Sequence, residues 1–329
     1  MRTATGWTSA VWAGEEFAER LRAFVAGALG ADARVEPVRT RPWSTLWRAT
    51  LPGGRWYAKQ NSPGQAHEAA LMAALAAVAP ELVVPVVAAD AAEDLLLTED
   101  LGPTLRETGD PGDVGQWCRL VADGAALQRA ALAVVDELPI DALRPEDATT
   151  YVADAVGRLA ALPAGDPRRL QPADAERLTG LLPLVGRWAD EVAALGLPLT
   201  VNHNDLHDNN VVADPAGGAL RFFDFADAVV AEPLGALMVP LRVAGQRLEA
   251  GAGDPRLERV ADSALEVWSD LAPAAALRRA LPAALRLACV AKAEAWRRCV
   301  RTMTDAEAAE YGDAPAGWLT ELAAPVSQT

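Results

Sequence analysis

The sequence predicts an α+β protein of two lobes: a small β-rich N-terminal lobe over residues 1–100 and a larger, mainly helical C-terminal lobe over 101–329. Three observations predict it. Short runs of β-formers, separated by turn signals, crowd the first hundred residues. Ala- and Leu-rich amphipathic stretches fill most of the remainder. A single polar island, flanked by short apolar segments, interrupts those stretches. A chain of 329 residues buries enough surface to need neither disulfides nor metals for folding. Its 51% apolar and 23% charged residues exclude bulk disorder and a collagen-like chain.

Residues 15–26 carry Phe17, Leu21, Phe24 and Val25 at helical spacing. Residues 33–38 read as a strand. Segments 43–51 and 55–60 flank Pro52-Gly53-Gly54 and read as a β-hairpin. Pro63-Gly64 precedes a helix expected over 65–78, and segments 83–89 and 94–98 read as two further strands. The join between lobes falls at residues 99–103. Helices are then expected over 113–136, 148–162, 173–195 and most of 233–322, with short strands at 199–203, 210–213 and 220–225.

Charge and cysteine content narrow the function. With 45 acids against 30 bases, the net charge of −15 repels phosphate backbones and anionic lipid, so neither nucleic acid nor membrane is an expected partner. Cys118, Cys289 and Cys299 are too few and too scattered for a disulfide framework or a zinc cluster. The first 17 residues lack the apolar core of a signal peptide, and the apolar stretch at 69–78 is too short to span a bilayer. A cytoplasmic protein is expected. Only two of the 30 bases are lysines, Lys59 and Lys292; a lysine kept in so Arg-biased a chain points to a need for an ammonium.

The island at 202–210 holds His203 and His207, two of three histidines, and Asn202, Asn204, Asn209 and Asn210, four of five asparagines. An Asx-rich turn satisfying its own backbone is the plain explanation. The spacing supports a chemical one. Asp205 and Asn210 are five residues apart, and Asp224 lies on the next apolar segment, where a carboxylate is costly unless paired or bound to a cation. An Asn and two Asp supply oxygen ligands for a hard cation such as Mg2+ and leave one carboxylate to accept a hydroxyl proton. That is the division of labour in kinase-type phosphoryl transfer.

His203-x-Asp205-Leu206-His207-x-x-Asn210, followed by Phe223-Asp224-Phe225, resembles the aminoglycoside phosphotransferase and choline kinase-like family. That family comprises small-molecule kinases with a two-lobed protein-kinase-like fold. Its pattern is H-G-D-L-H-x-x-N and then I-D-W/F; Asn204 here replaces the usual Gly and Asp208 the usual Pro. The resemblance spans roughly residues 34–250 and rests on about fifteen of them. It implies that Asp205 is the catalytic base, that Asn210 and Asp224 bind Mg2+, and that His203 and His207 support the loop. ATP is then the phosphoryl donor and a small-molecule hydroxyl the acceptor. The resemblance also implies a strand lysine paired with a helix glutamate, which Lys59 and Glu68 supply. Residues 94–102 resemble the family's last N-lobe strand and hinge, with the backbone of Glu99 to Leu101 at the adenine. No G-x-G-x-x-G is present, so the turn at 42–46 takes the phosphate-covering place, with Ser44 and Thr45 as donors.

The acceptor pocket is expected among the helices of 141–198 and 233–322, where Trp268, Trp296 and Trp318 are lining candidates, although core packing is the commoner fate of Trp. The acidic cluster Asp305, Glu307, Glu310 and Asp313 suits a cationic acceptor and equally a solvated helix face. Two alternatives stand beside the kinase. A metal-dependent hydrolase would use His203, Asp205 and His207 as ligands but leaves Lys59 and Glu68 without a task. An inactive nucleotide-binding protein is opposed by the presence of Lys59, Glu68, Asp205, Asn210 and Asp224 together.

Overall fold

The computed structural model describes residues 6–140, 142–214 and 218–324, so the first five residues of the N-terminal stretch lie outside it. The N-terminal lobe opens with α1 (Glu15–Leu29), which buries Phe17, Leu21 and Val25. A five-stranded antiparallel sheet follows: β1 (Arg34–Arg41), β2 (Ser44–Leu51), β3 (Gly54–Asn61), β4 (Val86–Asp90) and β5 (Leu95–Glu99), in the order β1-β2-β3-β5-β4. Helix α2 (Glu68–Val78) lies between β3 and β4 in sequence. Side chains alternate across the sheet. Leu95 and Leu97 of β5 join the cluster of Trp12, Leu21 and Trp47 on the α1 face, whereas Leu96 joins Leu71, Met72 and Leu75 of α2. Pro37 sits on edge strand β1 at a shift of register, where a missing N–H does least harm.

Helix α2 begins at Glu68 rather than at 65. Pro63-Gly64 opens two consecutive turns instead, closed by Gln65 N–H on the Ser62 carbonyl (2.9 Å) and His67 N–H on that of Gln65 (2.8 Å). Gly64 is needed there: a Cβ would stand 1.9 Å from the Arg298 carbonyl oxygen, so only glycine lets this turn pack on the C-terminal lobe. Likewise β4 starts at Val86, because Val83 makes an isolated parallel bridge to Phe222 that ties the two lobes together.

The C-terminal lobe contains α3 (Leu105–Thr108), α4 (Val114–Ala131), β6 (Ala142–Leu143), α5 (Ala148–Ala160), α6 (Pro172–Ala193), β7 (Thr200–Asn202), β8 (Val211–Ala213), β9 (Leu220–Phe222), β10 (Val229–Ala231), α7 (Met238–Leu248), α8 (Pro255–Leu265), α9 (Ala274–Val300), α10 (Asp305–Tyr311) and α11 (Ala314–Glu321). The helix expected over 113–136 ends at Ala131. Strands β8 and β9 form a hairpin, and β6-β10-β7 form a small sheet. Strands β6 and β10 have no counterpart among the expected elements; they are set by pairing with each other and with β7 across distant stretches of chain. The core beneath holds Trp117, Phe222, Phe225 and Trp268, so Trp268 packs inside, against a small cavity of about 30 Å3 that His203 and Leu206 also line.

Candidate active site

Lys59 stands on β3 opposite Leu46 on one side and Leu96 on the other. Its Nζ lies 2.6 Å from Glu68 Oε2 and 2.5 Å from Asp224 Oδ1. Burial alone would push the Lys59 pKa down, but the two carboxylates raise it well above the usual lysine range. Glu68 is buried at the start of α2. Its Oε2 also accepts from Asn61 Nδ2 (2.7 Å) and its Oε1 from the Phe225 backbone N–H (2.8 Å). The glutamate thus clamps both the strand lysine and the 223–225 segment. Asp94 secures the other side of Asn61 and caps Ala69 N–H (3.0 Å); burial raises its pKa to about 6.

Asp224 does not continue the strand expected at 220–225. Strand β9 stops at Phe222, and Asp224 adopts a left-handed φ of 66°. A non-glycine residue holds that conformation only where its surroundings fix it. Here the His203 ring bonds the Phe223 carbonyl oxygen (2.9 Å), and Phe225 is held by Glu68. Burial pushes the Asp224 pKa up, but Lys59 outweighs it and keeps the carboxylate below its usual range. Its side chain remains 39% open toward the cleft.

The polar island runs from β7 to β8. Asn204, in the place of the family's glycine, has φ of 62°, the left-handed region that Asn tolerates better than most residues. Its Nδ2 donates to the carbonyls of Asp227 and Ala291, both at 3.1 Å, and so sews the loop to α9. Asp208, in the place of the family's proline, is buried between Arg106 (2.7 Å) and Arg247 (3.6 Å). Asn210 Nδ2 donates to the Asp205 carbonyl (3.0 Å), which leaves its Oδ1 turned to other use. The Asn210 carbonyl accepts from Phe223 N–H (3.2 Å), so Asn210 and the Asp224 segment are neighbours. Both histidines are committed through Nδ1: that of His203 accepts from Asp205 N–H (3.3 Å), and that of His207 from Asn209 N–H (3.2 Å). Each Nε2 then carries the proton, His203 toward Phe223 and His207 toward Asp205 Oδ2 at 3.5 Å.

Sequence reasoning gave Lys292 no role, yet it reaches this site from α9. Its Nζ lies 3.1 Å from Asp205 Oδ1 and 2.9 Å from Asp227 Oδ2, with the Trp318 ring centroid 5.7 Å away. Burial opposes its charge, but Asp227 and Asp205 push the pKa up to about 12. Burial likewise raises the Asp205 pKa, and His207 and Lys292 bring it well below the carboxylate range. The signal available in the sequence was compositional: Lys292 is the second of two lysines.

The remaining expected residues lie around this centre. Glu99 ends β5, exposed, with its N–H on the Pro85 carbonyl (3.0 Å); Leu101 follows, partly buried. Ser44 begins β2 at the β1–β2 turn and is buried. Thr45 Oγ1 is taken by Thr40 (3.0 Å) and Trp47 (3.1 Å). At the tip of that hairpin, Trp43 meets Trp296 and Tyr311 edge-on, at centroid distances of 5.6 and 5.1 Å, which fastens the turn to α9 and α10. Of the acidic cluster, Glu307 closes a capping box with Thr304.

Residues 41–235 match the model of the Phosphotransferase enzyme family (APH), well over half of the chain. The protein therefore belongs to that family of phosphotransferases. Its fold is the two-lobed protein-kinase-like one. An ethanolamine kinase from Plasmodium vivax superposes with a TM-score of 0.60 at 12% identity, over 92% of this chain and 86% of that one. A macrolide 2'-phosphotransferase type I gives 0.57 at 18% identity, over 95% and 98%. The aminoglycoside phosphotransferase APH(4)-Ia gives 0.55 at 13%, over 94% and 100%. No curated protein sequence matches significantly. Among the described residues, no helix is long and apolar enough to cross a membrane.

Proposed function

We propose that this protein is a kinase that moves the γ-phosphoryl of ATP to a hydroxyl of a small molecule in the cytoplasm. Residues 1–100 form the ATP-binding lobe and 101–329 the catalytic and acceptor lobe. The observation that carries the reading is the double contact of Lys59 with Glu68 and Asp224, an ammonium held at the mouth of the interlobe cleft. Lys59 addresses the α- and β-phosphates, with Glu68 fixing its position. Glu99 and Leu101 offer backbone groups to the base, and Ser44 lies under the covering turn. Asn210 Oδ1 and the open side of Asp224 are the oxygens suited to Mg2+; a hard-cation site asks for such a neutral and anionic oxygen pair. When bound, the ion offsets charge on the transferred phosphoryl.

Asp205 accepts the proton of the attacking hydroxyl and orients it. Held ionised by Lys292 and His207, it is a weak base, which suits a loose phosphoryl-transfer transition state in which positioning outweighs proton abstraction. Lys292 is a positioning residue that fixes Asp205. The hydrolase alternative loses support because the Nδ1 lone pairs of His203 and His207 are already used by backbone N–H groups. The test is Asp205→Asn. MgATP binding, read by titration calorimetry, should stay within about threefold of wild type, while ADP release falls by roughly 100-fold or more. Undiminished turnover in that variant would remove the assignment.

A further inference from the structure

A second cavity, of about 880 Å3, opens between α5, α9 and the β6–β10 edge, with Gly64 and His67 at its N-lobe end. Asn204 lines it, whereas Lys59, Asp205, Asn210 and Asp224 do not, and it lies between the helical stretches 141–198 and 233–322 where an acceptor pocket is expected. Its floor is apolar, built from Val229, Ala231, Leu287, Val290 and Ala291. Five arginines surround it: Arg144, Arg158, Arg297, Arg298 and Arg301. In a chain with a net charge of −15, that concentration of cations runs against the rest of the molecule.

Four of these five, like Arg39, Arg187 and Arg259 outside the cavity, meet no carboxylate among the described residues. Elsewhere Arg55, Arg106, Arg168 and Arg221 each meet a carboxylate. Here Arg297 is neutralised by Glu294 (2.6 Å), whereas Arg144, Arg158, Arg298 and Arg301 make no ion pair among the described residues. The wall's carboxylates do not compensate. Glu294 is taken by Arg297 and Tyr151, and Glu232 turns back to accept from the Leu234 and Gly235 N–H groups (2.8 and 2.7 Å). Exposed Asp147 and Asp154 remain against four guanidinium groups. Two buried nitrogens in the wall, His67 Nε2 and Arg298 Nε, have no hydrogen-bond partner, and His67 is only 4% exposed. Both nitrogens are closed off from solvent, so they do not themselves face the cavity.

We propose that this cavity is a second ligand site, for a small organic anion whose apolar body rests on the Val229–Val290 floor and whose two or more negative charges meet the unpaired arginines. Guanidinium groups bind phosphate and carboxylate in the same bidentate way, so the shared chemistry is that of a phosphomonoester or a dicarboxylate. The site communicates with the catalytic loop. Arg298 also donates to the carbonyls of Asp227 and Ala228 (3.3 and 2.9 Å), and the Asp227 carboxylate holds Lys292. This inference does not depend on the kinase reading.

The experiment is titration calorimetry of the full chain, without divalent cation, against phenyl phosphate, phthalate and, as the cationic control, benzylamine. Wild type should bind one equivalent of at least one of the two anions and no benzylamine. The double charge reversal Arg158→Glu/Arg301→Glu, at two exposed positions, should weaken the anion at least tenfold. Arg144→Glu, a third rim position, should weaken it several-fold and serves if the double variant unfolds. Lys59→Met should leave it unchanged. Tighter phenyl phosphate assigns a phosphorylated ligand; tighter phthalate assigns a dicarboxylate. Absence of anion binding, binding lost with Lys59 but kept in the rim variants, or a preference for benzylamine would each overturn the proposal.

Discussion

Replacing Lys292 by methionine tests whether the ammonium on α9 governs Asp205. The substitution keeps most of the apolar stem and removes the ammonium, together with its cation–π contact to Trp318. It strips Asp205 Oδ1 of a donor at 3.1 Å and Asp227 Oδ2 of one at 2.9 Å. The lysine side chain is 5% exposed, while Asp205 and Asp227 are 39% and 24% exposed, so water shields the orphaned carboxylates in part. Removing one partner of a buried ion pair costs about 3–5 kcal/mol, and that partial exposure favours the lower end. The catalytic effect is distinct. A carboxylate no longer held in place forfeits much of the 10²–10⁴ that a positioned base contributes, so kcat should fall about 100-fold. Lys292 touches neither Lys59 nor Asp224, so KM for MgATP should stay within about threefold. The assay is ADP release with water as acceptor, which requires no knowledge of the natural alcohol, alongside urea unfolding. Lys292→Arg, which retains the cation, should recover part of kcat. A methionine variant that is less stable but turns over at the wild-type kcat would refute the reasoning and reduce Lys292 to a brace.

Burial pushes the His67 pKa down to about 3, so the unfolded chain takes up the proton first, and the stability His67 contributes is complete above pH 6.5 and lost as pH falls. The stability gap between wild type and His67→Gln should therefore shift by about 2 kcal/mol in the variant's favour between pH 7 and pH 5, by urea titration; a gap independent of pH would contradict a buried neutral ring. Trp43→Ala should remove the edge contacts with Trp296 and Tyr311, worth about 0.5–1.5 kcal/mol each beyond their area, and raise KM for ATP more than it lowers kcat. Asn204→Gly keeps the left-handed backbone but loses two hydrogen bonds, whereas Asn204→Ala loses both; the alanine variant should be the less stable by about 1 kcal/mol in thermal unfolding.

Much of the fold could be read from the sequence because the N-lobe strands carry strict turn chemistry, such as Pro52-Gly53-Gly54 between β2 and β3. The limits were physical. Strand β9 ends at Phe222 because Glu68 and His203 pull the next residues out of the ladder, and no local pattern records a contact made across 157 residues. Residues 65–67 look helical but are drawn into turns where Gly64 packs on α9. The residues singled out around 205–224 come together with Lys59 and Glu68, since few side chains bind cations or phosphates and their spacing is short. Lys292 stands 87 residues from Asp205, inside an amphipathic helix. Only its rarity distinguished it. The arginine-rimmed cavity draws its walls from five separate stretches of chain and left no motif at all.

Helix α9 gives three compartments one common shaft. Lys292 touches the Asp205 carboxylate, Trp296 the hairpin tip, and Ala291 with Arg298 the second cavity. One residue inserted near Leu287 would rotate everything beyond it by about 100° and disengage all three at once, whereas a lesion in any single contact leaves the other two intact. Change along this shaft is therefore confined to side-chain exchange, and lengthening or shortening it is closed as a route.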